Sequence, residues 1–312
     1  MDQNRDVRRR FQDGLEAFVD VVKQDQSILA AMLFGSLVEG NVWEKSDVDI
    51  ILVSNDEKTG YKFYWIEESG LNFQVAVYSR NHFKRFVERA LAGSWVQHMV
   101  QTSVILFSRD KTIDEYLSQA QTLGKRDVEL QLLFVVATVV GDLEKAEKFL
   151  LIRGDVAQSY LFVMRLLDPL AQIVVLMNGE IPGREVIEQA MGHEGDLFRS
   201  IFSDVILKET DVDKLRVVLQ GIRQYLEEHT AVIFGPVIEY FATEDDVRSA
   251  SDLTYHLNRM MPSDWWQIAA LCYGNWLVEQ GYLERFSSPV RLTTKSRIQL
   301  DEIGYIYAGG DE

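Results

Sequence analysis

The chain of 312 residues contains one cysteine, Cys272, five prolines, and little positive charge, with 32 Lys and Arg against 48 Asp and Glu. A lone cysteine excludes an intramolecular disulfide framework and a cysteine-rich zinc site, which leaves a buried thiol in a reducing compartment as the simplest reading. Few prolines and no Ser/Gly-rich tract argue against a long flexible linker, so domains should adjoin one another. A net charge of −16 repels polyanions unless basic residues are segregated, which disfavours nucleic acid as a partner. No stretch offers the roughly 20 uncharged apolar residues of a membrane span, and residues 1–10 mix charges with no apolar run of the signal-peptide kind. The expectation is a cytoplasmic protein with no membrane partner. At 47% hydrophobic and 26% charged, the chain can bury a sizeable core in two or three domains.

Phe11, Leu15, Phe18, Val19 and Val22 recur at helical spacing, predicting an amphipathic helix over 5–24. Residues 28–34 (ILAAMLF) are a continuous apolar run ending at Gly35-Ser36, as suits a buried strand, and a short helix is expected over 37–42. Residues 43–46 are turn-like, and residues 47–53 (DVDIILV) read as a strand whose period of two sets Asp47 and Asp49 on one face.

A small turn followed, after a spacer of ten residues, by two carboxylates on one strand face is suited to metal-assisted nucleotidyl transfer. That reaction needs triphosphate charge neutralised, the pyrophosphate held and the α-phosphorus aligned with a hydroxyl. Asp47 and Asp49 can share Mg²⁺, a cation that prefers oxygen ligands and leaves positions for phosphate and water. Gly35 allows close approach of the backbone to phosphates, and Ser36 offers a hydroxyl and an amide.

The stretch FGSLVEGNVWEKSDVDIILV resembles the signature of the polymerase-beta-like nucleotidyltransferase superfamily, and helices after the sheet resemble its small-molecule members of the kanamycin and lincosamide type. The resemblance implies a nucleotidyltransferase fold, Asp47 and Asp49 as catalytic metal ligands, Gly35 and Ser36 at the nucleotide, Mg²⁺ as cofactor, and ATP or another nucleoside triphosphate as co-substrate. It also implies a third carboxylate from a later strand. The next runs, 61–66 and 71–78, read as a hairpin turning at 67–70, and the position aligned with that third group is Gln74, an amide. An amide oxygen can ligate a metal but takes no proton at neutral pH, so Glu67 and Glu68 become local candidates for the base.

Residues 81–100 show helical spacing with Phe83, Phe86, Val87 and Leu91 as the apolar stripe; His82 and His98 are too far apart for one helical metal pair. A last strand is expected over 102–107. Beyond it the pattern turns helical: 130–140, 142–151, 156–177 with a kink or break at Pro169, 184–191 and 211–229. By the family resemblance this bundle binds the acceptor, with Asp142, Glu144, Arg153, Asp155 and Tyr160 as positions to inspect. Helices over 253–260 and 265–279, a Gly-Tyr-Leu stop, a Ser-Ser-Pro turn and a strand over 290–294 resemble a winged-helix module. The second of these helices has no Lys or Arg, and residues 250–312 hold five basic against eight acidic side chains, so packing or dimerisation fits better than DNA reading, with Trp265, Trp266, Tyr273 and Trp276 as core or interface aromatics.

The expected fold is therefore α+β: a small mixed nucleotidyltransferase sheet with flanking helices over 1–110, a helical bundle over 111–235, and a winged-helix-like domain over 236–312. The expected function is Mg²⁺-dependent transfer of a nucleoside monophosphate to a hydroxyl of a small molecule, with pyrophosphate released and a homodimer plausible. Two alternatives stay open: a nucleotide-binding regulatory protein marked by Gln74, and a transferase acting on a protein or an RNA end.

Overall fold

The computed structural model describes residues 2–40, 42–90, 99–100, 102–120, 124–206, 211–243, 247–260, 266–293, 295 and 297–309. Leu91, His98 and Trp265 lie outside them. The chain divides into two compact units, Met1–Gly124 and Lys125–Glu312.

In the first unit the elements run α1 (Asp2–Val22), β1 (Ile28–Phe34), α2 (Ser36–Glu39), β2 (Val48–Ser54), β3 (Tyr61–Glu68), β4 (Leu71–Ser79), α3 (Arg80–Ala90), β5 (Val104–Ser108) and α4 (Lys111–Ala120). The five strands form a mixed sheet in the order β3-β4-β2-β1-β5, with β2 and β4 parallel and the other neighbours antiparallel. Alternation along the strands builds two cores, one on each face. Leu33, Val48, Ile50, Leu52, Phe73 and Val75 pack with Phe11, Phe18 and Val19 of α1. On the opposite face Met32, Ile51, Val53 and Ala76 pack with Phe83 and Val87 of α3 and with Ile113 and Leu117 of α4. Because β1 and β2 are interior strands covered on both sides, each reads as a nearly unbroken apolar run.

Local differences from expectation have local causes. The helix after Gly35 is a single turn because Gly40 adopts a left-handed conformation at φ 83° and closes it. The hairpin between β3 and β4 turns on Ser69-Gly70, both at positive φ (52° and 70°), so Glu67 and Glu68 are strand residues rather than part of the turn.

The second unit comprises α5 (Lys125–Arg153), α6 (Val156–Met177), α7 (Val186–His193), α8 (Gly195–Ser200) and a π-helical turn (Ile201–Ile206). It continues with α9 (Val212–Glu228), α10 (Thr230–Ile233), α11 (Gly235–Ala242), β6 (Arg248–Ser249), α12 (Ala250–Met260), α13 (Trp266–Glu279), β7 (Leu283–Val290) and β8 (Leu300–Tyr307). The two stretches expected at 130–140 and 142–151 are one helix of 29 residues, since nothing between them breaks the backbone ladder. Helix α6 passes through Pro169 uninterrupted, held by buried Leu166, Leu167, Leu170 and Ala171 on either side. By length and composition α6 could cross a membrane. Ten of its residues are buried among the other helices, so its apolarity is accounted for by the core.

The boundaries expected at 110 and 235 also shift. Helix α4 closes the first core, and the described residues of the second unit share one core running from Leu132 and Leu133 through Trp266 and Trp276 to Tyr305. Tyr273 donates its hydroxyl to the Leu133 carbonyl, and Trp276 Nε1 donates to Thr230 Oγ1 at 3.1 Å. Bundle and C-terminal module are thereby joined through buried aromatics. Cys272 is a free thiol here, pushed up to about 12 first by burial and then by Glu144 and Glu279.

The C-terminal strand does not lie at 290–294 as expected. The stretch Leu283–Val290 is itself strand β7, including the Ser-Ser-Pro segment, and it pairs with β8 in a sheet ordered β6-β8-β7. Pro289 is compatible with this because β7 is an edge strand, where a missing N–H costs no ladder hydrogen bond.

Candidate active site

Asp49 is held outward by β2, and Asp47 stands just before that strand, which begins at Val48 rather than at 47 as expected. Val48, Ile50 and Leu52 are committed to the core under α1, so the alternate positions must face the other side of the sheet. Toward the interior of that side Ile51 and Val53 are covered by α3 and α4, but Asp47 and Asp49 lie at the open end and are half-buried.

The register completes a row across the sheet. Asp49 stands opposite Phe34 on β1 and opposite Gln74 on β4, and Gln74 stands opposite Trp65 on β3. Directly paired residues share a face, so Phe34, Asp49, Gln74 and Trp65 form one line. Gln74 Nε2 donates to Asp47 Oδ2 at 3.0 Å. A carboxylate can only accept, so the amide nitrogen must be the atom turned to Asp47, and the amide oxygen is the one left for another partner.

Gly35 opens the β1–α2 turn with φ 78° and ψ −155°, a region that glycine alone enters freely. A Cβ there would also fall closer than 3.0 Å to Asp49 Oδ2. The residue is glycine for both reasons: the turn needs the dihedral, and the Asp49 carboxylate occupies the space where a side chain would go. Gly35→Ala is expected to lower the thermal midpoint of the first unit by about 5 °C or more, from positive-φ strain of about 1–2 kcal/mol plus displacement of the carboxylate. A melt followed by circular dichroism checks this; an unchanged midpoint would mean the turn relaxes freely. Ser36 is half-buried at the start of α2, where its carbonyl accepts from the Gly40 N–H.

The two hairpin glutamates separate. Glu67 pairs with Asn72, two residues before Gln74, and so lies on the carboxylate face; Glu68 pairs with Leu71 and belongs to the opposite face. Tyr78, on the same face of β4 as Gln74, has its phenol pushed up to about 12 by burial, with Tyr61 adding, so it supplies no base near neutrality. His82 is occupied by Ser79, Oγ to Nδ1 3.0 Å.

The acceptor positions expected on the bundle have structural partners within the second unit. Asp142 is buried against Arg165 Nη2 at 3.3 Å and Lys145 Nζ at 3.7 Å. Asp155 caps α6, accepting from the Gln158 N–H at 3.0 Å. Arg153 lies over the Phe149 ring at 5.0 Å, and Tyr160 packs against the core. The Glu144 carboxyl is raised by burial first and then by Glu279.

Among the described residues no third His, Cys, Asp or Glu joins Asp47 and Asp49 in a metal-binding group. Two carboxylates and an amide oxygen at an open sheet end still suit Mg²⁺, which takes one or two protein carboxylates and completes its shell with phosphate oxygens and water. Trp65, which no motif singled out, is the residue that sequence reasoning missed; its signal is an aromatic side chain at an alternating position of an edge strand.

Residues 16–112 match the family described as polymerase beta, nucleotidyltransferase. Comparison with curated proteins finds no match. Among solved structures, the chain is similar to the crystal structure of a nucleotidyltransferase-like protein from Exiguobacterium sibiricum 255-15, with a TM-score of 0.65 and 14% identity over 96% of this chain and 100% of that one. At that identity the likeness concerns the fold.

Proposed function

We propose that the protein, whose residues 16–112 match the polymerase beta nucleotidyltransferase family, transfers a nucleoside monophosphate from a nucleoside triphosphate, ATP by preference, to a hydroxyl of a small molecule. Pyrophosphate leaves. The observation that carries this reading is the packing of Gly35 against the Asp49 carboxylate, which brings a phosphate-sized turn and a metal-type carboxylate pair to one open end of the sheet. Mg²⁺ held by Asp47 and Asp49 would neutralise phosphate charge and polarise the phosphoryl group. The Gly35-Ser36 turn seats the leaving phosphates, and Gln74 keeps Asp47 oriented through its amide N–H while taking no proton itself. The acceptor hydroxyl must therefore lose its proton to solvent, to phosphate or to a group such as Glu67.

The net charge of −16 favours a neutral or cationic acceptor in the cytoplasm over a polyanion. The order α11, β6, α12, α13, β7, β8 with sheet order β6-β8-β7 supports a winged-helix reading of the C-terminal module. Its second long helix, α13, carries no basic residue, which supports packing or self-association as its role rather than DNA binding.

One observation favours a second reading. An amide donor at Asp47, where a base would serve transfer, suits a protein that binds nucleotide and metal without turnover. The two are separated by incubating the protein with labelled nucleoside triphosphates, Mg²⁺ and a panel of hydroxyl acceptors, and measuring pyrophosphate. Transfer predicts release that rises about tenfold or more in Gln74→Glu, since a carboxylate there can both ligate metal and take the proton. Metal-dependent nucleotide binding with no pyrophosphate from any acceptor, in either protein, would establish the regulatory reading instead.

A further inference from the structure

Strand β3 is an edge strand with every residue from Tyr61 to Glu67 exposed, yet five of the six from 61 to 66 are apolar or aromatic: Tyr61, Phe63, Tyr64, Trp65 and Ile66. Such an edge invites aggregation unless something occupies it. Trp65 is 68% exposed, and Phe63 meets it edge-on with ring centroids 5.5 Å apart, fixing the indole without covering it.

Its position in the row is what gives the indole a task. The Gly35-Ser36 turn follows β1, Asp49 is on β2, Gln74 is on β4 and Trp65 is on β3, so Trp65 lies across the carboxylates from the turn. Two strand spacings separate it from Asp49, about 10 Å. In an in-line displacement the attacking and leaving oxygens stand on opposite sides of the phosphorus. With pyrophosphate leaving toward Gly35-Ser36, the attacking hydroxyl must arrive from the side of Gln74 and Trp65.

We propose that Trp65, braced by Phe63, is the positioning platform for the acceptor: it stacks on a flat ring face of that molecule and turns a ring hydroxyl toward Asp49. This rests on the transfer reading above. The hydroxyl oxygen forms the new bond to the α-phosphorus, the bond to pyrophosphate breaks, and the hydroxyl proton leaves by way of water or Glu67, which lies on the same face of β3. The ring chemistry is met by a sugar, through its axial C–H face, or by a phenol, and the experiment distinguishes them.

The test measures pyrophosphate release from Mg·ATP with glycerol, methyl glucoside or tyrosine amide as acceptor, alongside calorimetric binding of Mg·ATP and the oligomeric state, for the wild type, Trp65→Ala and Trp65→Phe. Expected are a preference of about tenfold for one ring acceptor over glycerol in the wild type, its loss in Trp65→Ala as a rise in acceptor KM, and its retention in Trp65→Phe. Mg·ATP binding should be unchanged in all three. Transfer with no ring preference, or with a preference that survives Trp65→Ala, overturns the platform and leaves the transferase standing. Weakened Mg·ATP binding in Trp65→Ala assigns the indole to the nucleotide, and a change of oligomeric state assigns it to a second copy; both overturn the proposal. Absence of pyrophosphate with every acceptor, despite Mg·ATP binding, removes the transferase reading and the platform with it.

Discussion

Replacing Asp47 and Asp49 together by asparagine is expected to abolish metal-dependent nucleotide binding and to reduce pyrophosphate release by on the order of 10³-fold or more. The carboxylates are the charged groups that the fold directs to the open end of the sheet beside Gly35, and the charge stabilisation a bound metal gives to a transferring phosphoryl group is worth several kcal/mol. The fold should survive, because both side chains are half-buried and asparagine is nearly isosteric. Gln74 can still donate to the amide oxygen that replaces the Asp47 carboxylate, so the hydrogen bond of 3.0 Å has a successor. A thermal midpoint within about 2 °C of wild type, with Mg·ATP binding lost by calorimetry, is the expected pair of results. A double variant that binds Mg·ATP as tightly as wild type would show that the nucleotide is held elsewhere.

Gly274→Ala should destabilise the second unit, although alanine in a helix interior ordinarily gains about 1 kcal/mol over glycine. Gly274 is buried in α13, and a Cβ there would fall closer than 3.0 Å to ring atoms of Tyr305 on β8. Tyr305 is fully buried and has Phe241 edge-on at 6.1 Å, and its hydroxyl donates to Asn275 Oδ1 at 3.4 Å, so the ring has little room to retreat. Overpacking of this kind costs about 1–3 kcal/mol net, or a fall of about 2–12 °C in a unit of this size. Combining it with Tyr305→Leu should recover part of the loss, because the two changes act on one contact. A rise in midpoint for Gly274→Ala alone would mean that the helix and the hairpin are not packed as described.

How much of this is legible without coordinates depends on the range of the interaction. Strand β1 was expected at the residues it occupies because an interior strand buried on both faces must be apolar throughout. The face of Asp49 follows from the two-residue period of a strand, a property of a few neighbouring bonds, whereas Asp47, just ahead of β2, is tied to that side by Gln74. Helix α6 was expected at its observed ends, where Asp155 caps the start and Asn178-Gly179 follows the finish. Less was readable where partners are distant. The merging of bundle and C-terminal module depends on Tyr273 reaching Leu133, a contact spanning 140 positions of chain. The strand at Leu283–Val290 reads as a turn in the sequence because an edge strand tolerates Pro289.

Local chemistry is written in short stretches: a glycine turn, two closely spaced carboxylates, and an amide rather than an acid at position 74. Dihedral preference and side-chain alternation act over a few residues and need no knowledge of the rest of the chain. Which groups stand together depends on strand pairing across the whole sheet. The parallel pairing of β2 with β4 sets Gln74 beside Asp49, sends Glu67 to the carboxylate face and Glu68 away from it, and leaves Trp65 at the end of the row. Strand order is chosen by which apolar faces can be buried at once, a constraint on the whole sheet that no single segment carries.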